Sequence, residues 1–285
     1  MPELPEVETV VRDLRSLIRG QRLKKIEIKK DFHKKISPLP VKFIKLLVGL
    51  KLLDIERTGK MITFDFGEDK KVHAHMKMTG QFVFRGRGGR EVFGGHPISD
   101  YERFTKVIFD FGASGKLYYN DIRKFGYFKI LSEGASREEK SKYGLEPIDP
   151  KFTLRVFRDL LARRPNLEIK KFLLMQEFIS GIGNIYADEA CFAAGILPTR
   201  KIKDLSKLKQ KKLYETLKSI LKKAIKYRGT SVNTYVDALG VRGSYVKFLK
   251  VYGRAGQRCL KCARATIKKT RCAGRGTSFC PICQK

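Results

Sequence analysis

The chain has 285 residues, with 61 Lys or Arg against 29 Asp or Glu, a formal net charge of +32. That length predicts about two domains at roughly 100–200 residues each, and 42% hydrophobic residues supply packed cores and exclude a disordered chain. No run of 18 or more apolar residues occurs, which argues against a membrane span.

The opening Met1-Pro-Glu-Leu-Pro-Glu-Val-Glu is acidic and broken by prolines, unlike a signal or transit peptide. It predicts an intracellular, cytosolic protein. Residues 1–150 hold 30 basic and 21 acidic residues, whereas 151–285 hold 31 and 8. From Ala238 to Lys285 there are 12 basic residues and no acidic one. Such a field favours a polyanion, nucleic acid before an anionic membrane, although lysine runs also occur as plain solvated surface.

In chain order, Val7, Val10, Val11, Leu14, Leu17 and Ile18 recur at helical spacing, and Gly20 ends that helix. From Leu23 to Ile130 the period is mostly two. Strands are expected at Ile26–Ile28, Met61–Phe66, Val72–Met76, Gln81–Phe84, Lys106–Phe111 and Lys116–Tyr119. Short strands at this spacing predict a β-sandwich or barrel. The polar stretch Leu131–Pro150 reads as a linker. Helical patterns follow at Leu154–Leu161, Leu167–Phe178, Ile185–Ala194 and Leu205–Tyr227, then a Gly-rich segment from Arg228 to Ser244.

Four of the six cysteines form two C-x2-C knuckles, Cys259/Cys262 and Cys280/Cys283, separated by 17 residues. That spacing brings four thiolates to one tetrahedral zinc, with a hairpin between the knuckles. Four thiolates leave no open position, so a single structural zinc is expected. Disulfides are a poor alternative in an intracellular chain. Cys191 reads as core and Cys272 as a spare thiol. The histidines lack ligand spacing.

Removing Met1 would expose Pro2 as a secondary amine, partly unprotonated near neutral pH. It can attack a sugar C1′, giving an iminium that stays cationic without a proton and makes elimination of the 3′ phosphate easy. Glu3 and Glu6 stand near enough to move protons. Taken alone, Pro2 followed by acids is more often a plain helix start.

Six ordered blocks decide between these readings. They are Met1-Pro-Glu-Leu-Pro-Glu-Val-Glu-Thr9, Gly59-Lys60, His75-Met-Lys-Met-Thr-Gly80, Asp121-Ile-Arg-Lys-Phe-Gly126, Gly181-Ile-Gly-Asn-Ile-Tyr-Ala-Asp-Glu189 and Val251-Tyr-Gly-Arg254, closed by the four-cysteine finger. Along its whole length the chain resembles the bacterial formamidopyrimidine-DNA glycosylase family.

The resemblance implies a multi-domain α+β chain. Its parts are an N-terminal helix plus β-sandwich (1–133), a linker (134–150), a helix–two-turn–helix domain (151–244) and a zinc-finger hairpin (245–285), with DNA lying in a basic cleft between domains. It implies a bifunctional repair enzyme that flips oxidised purines out of duplex DNA, and one active site per chain makes a monomer sufficient. The enzyme would cut the glycosidic bond and nick by β,δ-elimination. Pro2 matches the nucleophile, Glu3 the acid assisting deoxyribose opening, Glu6 a supporting carboxylate and Lys60 a lysine near the lesion and its phosphates.

Met78, Arg123 and Phe125 match the wedge that fills the vacated stack. Arg123 would also read the orphaned base, cytosine by analogy. Asn184 matches an N-cap or phosphate contact in the helix–two-turn–helix turn, His75 a further phosphate contact and Arg275 the finger-tip arginine. Each of these residues taken alone fits an ordinary core, cap or surface role.

The sequence departs from the pattern in places. The finger has one extra residue between its knuckles, and Ala263 stands where glycine is common, which puts the hairpin in doubt. Val232-Asn-Thr-Tyr235 lacks an arginine of the loop that covers the flipped base, and Lys77 replaces a glycine. A branch resembling endonuclease VIII, for oxidised pyrimidines, and a non-catalytic zinc-ribbon nucleic-acid-binding protein are the rival readings.

Overall fold

The computed structural model describes residues 1–67, 69–86, 92–93, 96–97 and 103–285. The chain packs as two compact units, Met1–Lys142 with Tyr227–Ser244, and Tyr143–Lys226 with Tyr245–Lys285.

The first unit opens with α1 (Leu4–Ile18), which has a proline in its first turn, where no amide is needed. A reciprocal capping box starts the helix: the Glu3 side chain accepts from the Glu6 amide, and Glu6 accepts from the Glu3 amide. Leu4, Val7, Val10, Val11, Leu14 and Ile18 are buried along one face, as their spacing predicts. Gly20, at φ 82°, turns the chain away.

The expected sandwich is present. Its strands, in order, are β1 (Lys25–Ile28), β2 (Ile36–Ser37), β3 (Asp54–Thr58), β4 (Met61–Asp65), β5 (Lys71–His75), β6 (Gly80–Arg85), β7 (Val92–Phe93), β8 (His96–Pro97), β9 (Thr105–Asp110), β10 (Lys116–Asp121) and β11 (Tyr127–Leu131). One sheet runs β1-β9-β10-β6 and the other β2-β11-β5-β4-β3, while β7 and β8 pair separately. Only β2–β11 is parallel among these pairings. Aromatic rings join the two sheets: Phe82 on β6 lies 5.8 Å from Phe128 on β11, and Phe109 on β9 lies 6.5 Å from Phe64 on β4. Truncating a ring in such a core costs about 3–5 kcal/mol.

Four elements of this unit differ from the sequence expectation. Helix α2 (Pro40–Leu47) interrupts the region read as strand; Pro40 starts it, and Phe43 and Leu47 are its buried pair. Strands β3, which is polar, and β11 escape a pattern search because each buries only one residue fully. The stretch read as a linker, 134–150, contains most of α3 (Glu133–Ser141). Ser132 caps this helix by accepting from the Ala135 amide at 3.3 Å, and its buried Ser136 hydroxyl stands 2.8 Å from His73 Nε2 on β5. Its other ties are polar as well, Lys140 to Glu56 at 2.6 Å and Glu133 to Lys71 at 3.1 Å, so no apolar stripe is left to read.

The second unit contains α4 (Leu154–Ala162), α5 (Ile169–Leu173), α6 (Asn184–Ala194) and α7 (Lys207–Lys226), then the hairpin of β12 (Lys268–Cys272) and β13 (Arg275–Phe279). The helical pattern at 167–178 yields only the short α5. Most of α6 is buried, its acids included. Glu189 accepts from the amides of Lys250, Val251 and Tyr252 at 2.9–3.0 Å. Asp188 accepts from the Ser278 amide at 2.9 Å and pairs with Lys170 Nζ at 2.6 Å, both side chains being fully buried.

The packing also groups the segments differently from the expected boundaries. Residues 227–244 fold with the first unit: the Phe84 amide donates to the Ala238 carbonyl at 2.8 Å. The finger folds with the helices through Asn184 and Lys170, both of which donate to the Gly276 carbonyl. These bonds span 92 or more residues, beyond the reach of local periodicity.

Candidate active site and nucleic-acid interface

The start of α1 is fixed more tightly than a helix end requires. Pro2, Glu3 and Glu6 are all buried. One Glu6 oxygen takes the Glu3 amide at 2.8 Å, and the other takes the Thr230 amide at 2.7 Å. The Tyr235 hydroxyl donates to the Glu6 carbonyl at 3.3 Å and the Arg228 carbonyl at 3.2 Å. Gly229, at φ 81°, is needed for this approach, since a Cβ there would stand 2.8 Å from Glu6 Oε1. Arg228 is held by Asp13 and Asp237 at 2.6 Å each. The segment at 228–237 is thereby tied to the residue beside Pro2.

Lys60 is buried in the turn between β3 and β4. Arg57, in β3, donates to the Gly59 carbonyl at 3.0 Å and pairs with Glu8 of α1 at 2.7 Å, which fixes the turn against the helix. His75 ends β5, where it pairs with Met61, the residue after Lys60. Burial first, then the charges of Lys77 and Lys60, push the His75 pKa down to about 3. The ring is therefore neutral at physiological pH. Its Nδ1 accepts from the Lys77 amide at 2.9 Å, which leaves the proton on Nε2. A neutral N–H donor beside a lysine suits a phosphate oxygen.

Met78, Arg123 and Phe125 come together as one exposed cluster. Arg123 Nη1 lies 3.0 Å from Met78 Sδ, and its guanidinium stands 4.6 Å from the Phe125 ring centroid. Met78 is 39% and Phe125 45% exposed, so two large apolar side chains project beside a cation. That combination suits insertion between bases far better than a core role.

Asn184 and Arg275 form a separate set in the second unit. Gly183 is the N-cap of α6, and Asn184 is its first helical residue rather than the cap. The Asn184 amide donates to the Gly276 carbonyl at 2.9 Å, which joins the helix start to the finger hairpin. The hairpin turns through Ala273 and Gly274, both left-handed at φ 51° and 69°, and Arg275 is exposed just beyond them. Ala263 also holds a left-handed φ of 52°, which explains the preference for glycine at that position; alanine carries roughly 1–2 kcal/mol of strain there. The knuckle keeps its turn, with the Ala263 amide donating to the Cys259 carbonyl at 3.0 Å.

Cys259, Cys262, Cys280 and Cys283 bring their sulfurs within 4.8 Å of one another. Sulfurs about 2.3 Å from a tetrahedral ion stand about 3.8 Å apart. The Cys259–Cys283 and Cys262–Cys280 separations are both 3.8 Å, so the donor set fits such an ion. Cys191 is core, as expected. Cys272 is buried rather than spare, and its thiol lies 3.3 Å from a Glu168 carboxylate oxygen.

The first unit is thus a helix and sandwich with an exposed Met78–Arg123–Phe125 cluster, and the second is a set of helices with a four-cysteine hairpin. Models for the formamidopyrimidine-DNA glycosylase N-terminal domain and H2TH domain match residues 1–128 and 143–236. The chain is 38% identical to the formamidopyrimidine-DNA glycosylase of Carboxydothermus hydrogenoformans over 100% of both chains. It is 37% identical to that of Lactobacillus gasseri over 100% of this chain and 99% of the relative. A complex of a Lactococcus lactis Fpg mutant with Fapy-dG-containing DNA matches with a TM-score of 0.86 at 35% identity, covering 100% of each chain. The L. lactis enzyme with abasic-site DNA matches at 0.86 and 34%, covering 99% of each. The chain belongs to the formamidopyrimidine-DNA glycosylase family.

Sequence reading missed the residues that hold this site in place. Thr230, Tyr235 and Arg228 act on α1 across more than 200 positions. Asp121 lies inside a quoted block, yet nothing in a lone aspartate after a strand distinguishes a buried hub from a turn residue.

Proposed function

We propose that this chain is a bifunctional DNA glycosylase and AP lyase for oxidised purines, 8-oxoguanine opposite cytosine and formamidopyrimidines, with Pro2 as nucleophile. The observation that carries this reading is the locked start of α1, where Pro2 is buried and the next residue's amide is fixed by Glu6. A preset nucleophile loses little freedom on reaction.

With Met1 removed, the Pro2 nitrogen attacks C1′ as the bond from C1′ to the base breaks and the base leaves with a proton. Glu3 assists opening of the deoxyribose ring. The resulting iminium draws electrons from C2′ once its proton is lost, and the 3′ phosphate departs; a second elimination releases the 5′ phosphate. Glu6 supports the N-terminus, and Lys60 and neutral His75 hold phosphate. Met78 and Phe125 fill the vacated stack, and Arg123 donates to the orphaned base. Asn184 and Arg275 contact the backbone of the same DNA.

The four cysteines would hold zinc, which when bound supplies cross-linking of the finger and no step of the reaction. One site per chain makes a monomer sufficient, and the substrate places the enzyme with the DNA in a bacterial cytosol.

Borohydride trapping on duplex carrying 8-oxoguanine opposite cytosine tests the proposal. A covalent adduct mapped to Pro2 and absent in Pro2→Gly is expected. One Lactococcus lactis relative was crystallised with DNA containing an oxidised pyrimidine, so a thymine-glycol duplex belongs beside it. An adduct on thymine glycol alone would move the chain to the pyrimidine-specific reading. No adduct on either duplex, with Pro2 shown to be free, would leave a non-catalytic DNA-binding protein.

A further inference from the structure

The two loops that carry Met78, Arg123 and Phe125 meet at one buried carboxylate. Asp121 ends β10 and is fully buried. Its Oδ1 accepts from the Thr79 hydroxyl at 2.5 Å and the Arg123 amide at 3.2 Å. Its Oδ2 accepts from the Gly126 amide at 2.8 Å and the Tyr119 hydroxyl at 3.3 Å. Thr79 completes the circuit, because its oxygen accepts from the Arg123 amide at 3.0 Å while its proton goes to Asp121.

One carboxylate therefore pins the 121–126 loop at both ends and ties it to the loop that presents Met78. Between the pins, residues 122–125 are all exposed, and Lys124 takes a left-handed φ of 54°. Gly126 admits no side chain, since a Cβ there would stand 1.7 Å from the Tyr119 hydroxyl. An exposed loop has few contacts of its own to fix it. Bonds to an ionised acceptor are roughly twice as strong as neutral ones.

We propose that Asp121 and Thr79 are positioning residues that set discrimination between opposite bases, by fixing the Arg123 main chain in register with Met78 and Phe125. The proposal rests on the functional reading above, in which Arg123 reads the orphaned base. Hydrogen bonding to a base edge needs its donor placed to within about 0.5 Å. The Asp121–Thr79 circuit supplies that placement without touching DNA.

The test compares Thr79→Val, Thr79→Ser and Asp121→Asn with wild type. The main readout is the ratio of kcat/KM for 8-oxoguanine opposite cytosine to that opposite adenine. Borohydride trapping on single-stranded abasic DNA, which has no opposite base, and thermal melting accompany it.

Thr79→Val is nearly isosteric and loses the bridging hydroxyl, so the ratio is expected to fall about tenfold. Thr79→Ser keeps the hydroxyl and stays within about twofold of wild type. Asp121→Asn turns an amide donor toward two existing donors at one end, and lowers the ratio at least as far. Single-strand trapping by Thr79→Val stays at the wild-type level.

An unchanged ratio in both Thr79→Val and Asp121→Asn would overturn the proposal. So would equal losses on cytosine, adenine and single-stranded substrates, which mark a purely structural role. Thr79→Ser failing like Thr79→Val would also overturn it, because the hydroxyl would then be irrelevant. If wild type itself formed no adduct on any abasic DNA, the functional reading would fail instead.

Discussion

Glu6 reaches an amide 224 positions away: one of its carboxylate oxygens accepts from the amide of Glu3 and the other from the amide of Thr230 at 2.7 Å. A helix cap and a long-range tether are thus the same side chain. Its place beside Pro2, the proposed nucleophile, links the segment from Arg228 onward to the proposed chemistry.

Glu6→Ala strips both amides of their partner in a buried place, at about 2–4 kcal/mol in total. Glu6→Gln keeps one acceptor and turns an amide donor toward the other N–H, so it should fall between wild type and alanine. Urea denaturation of the three proteins gives the order. Trapping yield should fall with it, because the Pro2–Glu3 peptide loses its anchor.

His75 predicts an acid limb. Its folded pKa of about 3 lies below the ordinary imidazole value of 6.5. Protonation therefore favours the unfolded chain. The contribution is complete above pH 6.5 and is lost as pH falls from there toward 3, at about 1.4 kcal/mol per pH unit. The stability difference between wild type and His75→Gln should be flat above pH 7 and shrink steadily below 6.5. A difference that grew on acidification would contradict a buried neutral ring.

The finger predicts one zinc per chain by elemental analysis. Cys262→Ala, or chelation after thiol modification, should melt the β12–β13 hairpin and expose Val251 and Ile267, which pack with the cysteines. Affinity for duplex DNA should fall at least tenfold, while the first unit keeps its thermal transition.

Lys170 and Asp188 form a fully buried pair, and Lys170 also donates to the Thr277 hydroxyl at 2.8 Å in the finger hairpin. Burial raises the Asp188 pKa to about 6 despite the ammonium beside it. Lys170→Met leaves that carboxyl without a counter-charge, and about 3–5 kcal/mol of stability in the second unit should be lost. The double variant Lys170→Met with Asp188→Leu should recover part of the loss, because the stranded charge is gone. Differential scanning calorimetry of the single and double variants decides it.

A net charge of +32 predicts steep salt dependence of DNA binding. Each neutralised phosphate contributes about −0.9 to the slope of log K against log salt. Anisotropy titrations between 50 and 200 mM salt should show affinity falling by at least tenfold. A near-flat response would contradict a phosphate-gripping surface.

The sandwich was legible wherever strands carry a short β-branched or aromatic run, as Phe82–Phe84 in β6 and Val107–Phe109 in β9. It was illegible in β3, a run of Asp, Ile, Glu, Arg and Thr with one fully buried residue, where pairing with β4 overrides composition. Helix α3 was hidden because its ties are polar, among them the Ser132 cap, the His73–Ser136 contact and the Lys140–Glu56 ion pair, and these leave no periodic apolar signal.

Sequence by itself determined what depends on short spacing. It set the two knuckles, the α1 stripe, the charge asymmetry and the ordered blocks that name Pro2, Lys60, Met78, Arg123 and Phe125. Tertiary structure alone decided what those residues are held by. The Glu6–Thr230 tether, the neutral state of His75 and the Asp121–Thr79 circuit all join groups 42 or more positions apart or depend on burial. Local propensity senses neither, because hydrogen-bond partners and desolvation are fixed only when distant segments pack.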